Sequence, residues 1–286
     1  MTGMVNRSPE APPPKSGPDW GRTAGRFYLG FCAVFLAAPV IVVSAAALNG
    51  GRSMAFPPED PTLSRFVEFF VGDPVWTDAL RTSILLAFAS AAIGTAIAWP
   101  VAYAVWRRGG WAATLLASLV GLPFVLPPIV FGVGLGFFWA FTAGLGDLWA
   151  GILSHAILHA AIPLATVSIG LAAIDRAHLD AAATMGATEA VTLRTIVIPQ
   201  TFPYTVSGFL FALILSFNEF IVVYFVAASS YATVTLQIFN SLRNGFTPTM
   251  AVAAITFIGA SLLIFAAIGR WGDLPGLMGA DTSRSD

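Results

Sequence analysis

Apolar residues along this chain gather into six long runs separated by short polar connections. The runs extend over residues 27–48, 79–106, 111–142, 148–174, 203–228 and 247–269. Each is close to or above the roughly 20 residues that a helix needs to cross a bilayer. The alternation typical of strands is absent, and a backbone inside lipid must satisfy its own hydrogen bonds. The pattern therefore predicts an all-α, polytopic membrane protein with six transmembrane helices.

The composition favours a membrane protein over a soluble one. Of the 286 residues, 57% are hydrophobic and 10% are charged, which is far outside the usual range of soluble proteins. A soluble chain of this length would suggest about two domains, whereas the spaced apolar runs predict one helical bundle. The single cysteine, Cys32, excludes an intramolecular disulfide and a metal site built from several thiolates.

Lysine and arginine residues in the connections predict the orientation, because cytoplasmic loops carry an excess of them. With six spans both termini lie on one side, which holds ten of these residues against four on the other. Both termini are therefore predicted to be cytoplasmic, and the net charge of -1 gives no indication of a nucleic-acid partner. The ten are Arg7, Lys15, Arg22, Arg26, Arg107, Arg108, Arg176, Arg194, Arg270 and Arg284; the four are Arg52, Arg65, Arg81 and Arg243.

The two ends of the chain are polar. Residues 1–25 are rich in Pro, Gly, Ser and charge and predict a flexible cytoplasmic tail, and residues 271–286 predict a second one. Residues 26–270 form the predicted transmembrane domain. The first apolar run has the positive flank of a signal peptide, but its length favours a retained helix.

The polar connection over residues 175–200 predicts a docking element for another protein. Small residues are dense between residues 181 and 187, with Leu179 and Met185 as apolar anchors. Thr188 is suited to cap a second helix with Glu189 in its first turn, and Pro199 is expected to end that helix. The alternative is an amphipathic connection that lies on the membrane surface.

Glu219 is a carboxylate inside the fifth apolar run, where a charge costs about 3 kcal/mol on insertion scales. In a continuous helix it shares a face with the small residues Gly208, Ala212 and Ser216. One interpretation places Glu219 on a solute path that favours cations, with aromatic neighbours contributing cation-π contacts. The other pairs it with Asn218, a histidine or an arginine, so that it only fixes helix packing.

His155 and His159 are four residues apart and share a helix face. No further ligands or second shell are evident nearby, so hydrogen bonding between helices is favoured over a metal site.

Proline and glycine mark the third run. Pro123, Pro127 and Pro128 predict a kink, which suits either a gate or static bending for packing. The glycines at 132, 134 and 136 predict close helix contacts rather than a nucleotide loop. Aromatic residues in the external segment 49–78 predict an anchor at the membrane interface or a contact with a soluble binding protein.

A spaced motif in the polar connection resembles the EAA signature of permease subunits in binding-protein-dependent ABC importers. Asp180-Ala181-Ala182 is followed after three residues by Gly186 and after nine more by Ile196-x-Ile198-Pro199. Asp180 replaces the usual Glu and Ile198 the usual Leu. The resemblance covers residues 27–270 and is greatest to the spermidine/putrescine branch. The other short segments that carry the resemblance are Phe56-Pro57-Pro58, Ala79-Leu80-Arg81-Thr82-Ser83, Leu122-Pro123, Leu126-Pro127-Pro128-Ile129-Val130, Leu215-Ser216-Phe217-Asn218-Glu219-Phe220, Thr235-Leu236 and Pro248.

The resemblance implies a core permease unit over residues 77–270 and a coupling segment over residues 175–200 that docks on an ATP-hydrolysing subunit. The implied coupling residues are Asp180, Ala181, Ala182, Gly186, Ala187, Ile196 and Pro199. The candidates for the translocation path, Ser216, Asn218 and Glu219, follow from the residues of the fifth run. The resemblance further implies a second permease subunit, preferably a paralogue, an extracytoplasmic solute-binding protein and a bacterial inner membrane.

Energy must come from another chain, because this sequence has no G-x-x-x-x-G-K-[ST] phosphate loop. The chain is therefore expected to be no enzyme and to bind no cofactor, with ATP and Mg²⁺ on the partner. An ion-driven secondary transporter would place several ionisable residues at the midplane. An intramembrane enzyme would need an assembled nucleophile or metal site. Both are less favoured than a permease that moves a polyamine-like cation.

Overall fold

The computed structural model describes residues 20–51, 55–245 and 247–271, and the regular secondary structure in these ranges is helical. The predicted tails before residue 20 and after residue 271 lie outside the described residues. In addition there are two π-helical turns, one over Glu68–Gly72 and one over Leu193–Val197. The helices are α1 (Trp20–Ala46), α2 (Ser64–Val67), α3 (Pro74–Arg108), α4 (Gly110–Val125), α5 (Pro128–Phe141), α6 (Leu148–His159), α7 (Ala161–Ala172), α8 (Arg176–Thr184), α9 (Glu189–Thr192), α10 (Ile198–Asn218), α11 (Ile221–Val226), α12 (Val234–Asn244) and α13 (Pro248–Trp271).

The chain divides into two units after Val43. The described part of the first unit is the greater part of α1, which begins at Trp20, within the segment predicted as a tail. Its side chains from residue 24 onward are mostly exposed and apolar, as expected for a helix that lies in lipid. The second unit holds the remaining helices.

Four helices in the described residues are long and apolar enough to cross a membrane, namely residues 24–46, 74–108, 189–218 and 248–270. Two bent pairs, α4 with α5 and α6 with α7, bring the number to six if each pair counts as one span. The all-α fold predicted from the apolar runs is therefore confirmed for this part of the chain.

The third predicted span is not one helix. The α4 and α5 helices meet at an angle of 108°, with Leu126 in an extended conformation between them. Pro127 forces the preceding residue out of the helical region, and Pro128 then begins α5. The fourth predicted span also bends, by 43° at Ala160.

The fifth predicted span begins earlier and ends earlier than expected. Residues Glu189–Asn218 form one continuous helix, so the prediction that Pro199 ends a helix is wrong. The π-helical turn explains this, because the Ile198 N–H donates to the Leu193 carbonyl and the widened turn accommodates the proline ring. The helix ends at Asn218, and Glu219 is extended (φ -79°, ψ 130°), so Glu219 does not lie inside a helix as predicted.

Small residues let the helices approach closely. Ala87, Ala91, Gly94 and Ala98 of α3 are all buried, as their spacing predicted. A Cβ atom at Gly208 of α10 would lie 2.7 Å from the Cα of Pro163 in α7, so only glycine fits there. Gly132 and Gly136 of α5 pack against α11, whereas Gly134 faces open space.

Candidate functional site

Two turns shape the coupling segment. The Asp175 carboxylate accepts a hydrogen bond from the Ala177 N–H at 2.9 Å and begins α8. After α8, Gly186 has a φ of 78°, and its N–H donates to the Ala183 carbonyl while the Ala187 N–H donates to the Ala182 carbonyl. This pair of bonds is a Schellman motif, which requires the left-handed conformation that glycine adopts without strain. Gly186 therefore has a local role in reversing the chain after α8.

The second helix of the coupling segment begins as its sequence predicted. The Thr188 hydroxyl accepts a hydrogen bond from the Val191 N–H at 3.4 Å, and Glu189 lies in the first turn. The Glu189 carboxylate lies 3.4 Å from the Arg107 guanidinium and accepts from the Tyr103 hydroxyl at 3.3 Å. Both charged side chains are about half exposed, so this ion pair is a weak tether to the end of α3.

The coupling segment has an inner face that packs on its own chain. Val197 is buried together with Ala102 of α3 and Leu171 of α7, and Leu179 and Ile196 pack against them. Leu179, one of the two predicted apolar anchors, is half-buried: it packs against this cluster of its own chain and also lines a cleft beside it. Ala182 is also buried, so it contacts this chain and is unavailable to a partner.

The outer face of the coupling segment is exposed. Asp180, Ala181 and Gly186 are exposed, and Met185 is 81% exposed. Among the other predicted coupling residues, Pro199 is exposed and Ala187 is half-buried.

A cleft of about 660 Å³ separates the coupling segment from the end of α3. Trp106 and Arg107 contribute to its lining from α3, and Asp180 and Glu189 contribute from the coupling segment. The segment is thus joined to the membrane helices through its inner apolar face and through the contacts of Glu189 with Arg107 and Tyr103.

Glu219 caps the short helix α11. Its carboxylate oxygens accept hydrogen bonds from the N–H groups of Ile221 at 2.8 Å and Val222 at 3.0 Å. Only 10% of the side chain is exposed. The neighbouring Asn218 is exposed and donates to the Ile214 carbonyl at 2.9 Å, so it does not pair with Glu219.

A buried polar cluster joins Glu219 to three helices. Its Oε2 atom lies 3.4 Å from Nε2 of His155, and Nδ1 of the same ring lies 2.8 Å from the Ser216 hydroxyl. Ser216 in turn lies 2.9 Å from the Ser90 hydroxyl of α3. Ser90, His155 and Ser216 are each at most 3% exposed. A histidine is thus the neighbour of Glu219, as one of the two interpretations of the sequence required.

The structure places the remaining candidate residues outside this cluster or at its edge. His159 bonds through Nδ1 to the His155 carbonyl at 3.0 Å, within its own helix. Pro127 and Pro128 are exposed at the bend, and α5 beyond them packs against α11. Sequence reasoning missed Ser90, although its position between Ala87 and Ala91 on a small-residue face indicated burial.

The external segment buries part of its aromatic surface. Phe69 and Trp76 are at most 5% exposed and their rings lie 5.6 Å apart, whereas Phe70 is 46% exposed. Arg65 fixes the segment by donating to the Gly50 carbonyl and to Glu68, both at 2.7 Å. Phe69 and Trp76 therefore stabilise this chain, and Phe70 is left for lipid or a partner.

Known proteins resemble this chain in sequence. The family described as the binding-protein-dependent transport system inner membrane component matches residues 92–271. The spermidine/putrescine transport system permease protein PotC of Haemophilus influenzae is 30% identical over 64% of this chain and 71% of its own length. The putative 2-aminoethylphosphonate transport system permease protein PhnV of Salmonella typhi is 27% identical over 83% of this chain and 90% of its own length.

A solved structure has the same fold. A bacterial alginate ABC transporter, in complex with an alginate pentasaccharide-bound periplasmic protein, aligns with a TM-score of 0.67. The alignment covers 92% of this chain and 96% of that chain at 14% identity. The family match spans more than half of the sequence and includes the whole coupling segment. The chain therefore belongs to the binding-protein-dependent transport system inner membrane components, the non-catalytic permease subunits of ABC importers whose ATPase is a separate subunit.

Proposed function

We propose that this chain is a permease subunit of a bacterial inner-membrane importer that accepts a small aminoalkyl solute, a polyamine-like cation in particular, from an extracytoplasmic binding protein. Both termini and the coupling segment lie in the cytoplasm. One observation carries the proposal: the coupling segment exposes one face, packs the other on α3 and α7, and continues into a membrane-length helix.

The exposed face of the coupling segment meets the ATPase subunit. Asp180, Ala181 and Met185 form the contact, Ala187 and Pro199 lie at its edges, and Gly186 supplies the turn that presents this face. Ala182 and Ile196 act from beneath by holding the segment on the membrane helices. Movement of the ATPase then reaches α10 through a continuous helix. The partner in the membrane is a second permease chain, preferably a paralogue.

The solute path runs past the end of α10. The exposed Asn218 amide contacts the path, while Ser216 and Glu219 shape it from within the bundle. The bend at Pro127 and Pro128, which follows Pro123 inside the last turn of α4, directs α5 onto α11 and serves as part of the gate. A gate in this position responds to α10 because Glu219, which follows the last residue of α10, bonds to the start of α11.

The named solutes of the relatives support an aminoalkyl cargo. One relative is named for spermidine and putrescine and another for 2-aminoethylphosphonate. These solutes share a primary amine, which is a cation at neutral pH, and they differ in whether a phosphonate is attached. The second name favours an aminoalkylphosphonate as the alternative cargo.

Transport by the assembled importer tests the proposal. The permease chains, the ATPase and the binding protein are reconstituted in proteoliposomes, and uptake of putrescine, spermidine and 2-aminoethylphosphonate is measured. We expect uptake of one of these solutes to require ATP and to persist when ionophores collapse ion gradients. Uptake that needs an ion gradient and no ATP would replace the proposal with a secondary transporter.

The coupling surface has a matched test. Met185→Glu places a charge on the exposed face of the segment, and Val71→Glu places one at an equally exposed site, since the two residues are 81% and 79% exposed. We expect Met185→Glu to lower the amount of ATPase that co-purifies about tenfold or more, because an apolar contact is replaced by a desolvated charge. Val71→Glu should leave it unchanged, and equal effects of both variants would contradict the assignment.

A further inference from the structure

The buried polar cluster lies where two moving parts of the permease would meet. Residues Glu189–Asn218 form a continuous helix of 30 residues that starts in the coupling segment. At its far end Glu219 caps α11, and α11 packs against α5. The Thr235 hydroxyl of α12 also donates to the Glu219 carbonyl, at 3.2 Å. Glu219 is thus the joint between the helix that receives force and the helices beyond it.

His155 spans this joint from a different helix. It is fully buried in α6, and its two ring nitrogens face different partners. Nδ1 lies 2.8 Å from the hydroxyl of Ser216, the third residue from the end of α10. Nε2 lies 3.4 Å from Glu219 and has no aligned hydrogen bond among the residues that the structure describes. One imidazole therefore contacts both the end of the long helix and the cap of the next one.

The polar neighbours of His155 do not depend on it for their hydrogen bonds. Without the imidazole, Glu219 keeps its two backbone donors and Ser216 keeps its contact with Ser90. Glu219 and Ser216 would each keep a hydrogen-bond partner, so removal of the ring leaves neither of them unpaired.

We propose that His155 is a positioning residue for transport: through Ser216 and Glu219 it fixes the angle at which α10 drives α11. The proposal rests on the proposed transport function. When ATP binding moves the coupling segment, the contacts of His155 transmit that movement to α11 and α5. Without them, the chain would bend at the extended Glu219 residue.

Transport kinetics of the full importer in proteoliposomes test the proposal with three variants. His155→Leu keeps the bulk of the ring and removes both polar contacts, whereas His155→Gln retains a donor and an acceptor. Ser207→Ala is the matched control, because Ser207 is equally buried but its hydroxyl donates to the Pro203 carbonyl of its own helix at 2.9 Å instead of to the cluster. We expect His155→Leu to lower the maximal uptake rate about tenfold at unchanged KM, with ATP hydrolysis retained. We expect His155→Gln to recover most of the rate and Ser207→Ala to match the parent.

A structural readout separates this proposal from the transport function itself. In a Cys32→Ser background, spin labels at Val191 and Tyr224, which are 48% and 45% exposed, report the distance between the long helix and α11 in the assembled complex. We expect one narrow distance distribution in the parent and a broad one in His155→Leu. Failure of the parent to transport any solute would count against the proposed function alone. Parent-like distances and rates in His155→Leu, or no recovery in His155→Gln, would overturn the positioning role.

Discussion

The structure gives Gly186 a different role from the one that the sequence suggested. In the sequence it is one of several small residues that permit another backbone to approach. In the structure its φ of 78° and the two bonds around it identify a turn that only glycine, or asparagine at some cost, adopts readily. No atom outside the turn lies within 4 Å of where its Cβ would be, so the space for a side chain is open. Backbone conformation explains the glycine without any partner.

This difference leads to a prediction with two substitutions. Gly186→Asn tolerates the left-handed conformation and adds bulk at the coupling surface, whereas Gly186→Val also strains the turn by about 1 kcal/mol or more. If the turn is what matters, Gly186→Asn retains most of the co-purifying ATPase and Gly186→Val loses it. Equal loss in both variants would indicate that the partner's backbone contacts this position directly.

Glu219 illustrates what the residue pattern could not reveal. An isolated charge in an apolar run identified an unusual site, and a histidine was among the partners considered. Hydropathy does not record where a helix breaks, because residues on both sides of Glu219 are equally apolar. The break changes the chemistry: the carboxylate accepts two backbone N–H groups, which lowers the cost of burying its charge.

At the scale of helices, the presence of a proline did not by itself predict where a helix ends. The chain bends by 108° between α4 and α5, at Pro127 and Pro128, yet Pro199 lies inside a continuous helix. The difference is the π-helical turn at Leu193–Val197, which ends in the buried Val197 and was not predicted from the residue pattern. The positions of the apolar runs, the cap at Thr188 and the small-residue face of α3 depend on local chemistry, and these were predictable.

The packing of α10 on α7 gives a prediction at the same scale. Gly208→Ala places a methyl group against Pro163, where the Cβ would lie 2.7 Å from a backbone atom. Gly134→Ala is the control, because Gly134 is also helical and has nothing within 4 Å of its Cβ position. We expect Gly208→Ala to lower the melting temperature of the purified complex, and Gly134→Ala to leave it unchanged or raise it slightly, since alanine favours helices by about 1 kcal/mol. Similar shifts in both would show that the α7 contact is adaptable.

At the scale of the whole molecule, the orientation is the property on which the mechanism depends. The coupling segment contacts an ATPase only if it is cytoplasmic, as the ten-to-four distribution of basic residues predicts. Two exposed residues distinguish the sides. Met185 lies in the coupling segment, and Val71 lies in the segment predicted to be external.

Labelling with a membrane-impermeant maleimide tests the orientation in a Cys32→Ser background. In intact spheroplasts we expect Val71→Cys to react and Met185→Cys to react only after permeabilisation, because the bilayer blocks access from outside. Co-expression of the ATPase should then slow labelling of Met185→Cys in permeabilised cells while leaving Val71→Cys unaffected, since the subunit covers only the coupling surface. The reverse pattern in spheroplasts would invert the topology, and with the segment outside the cell this chain would have no route by which a cytoplasmic ATPase could drive α10.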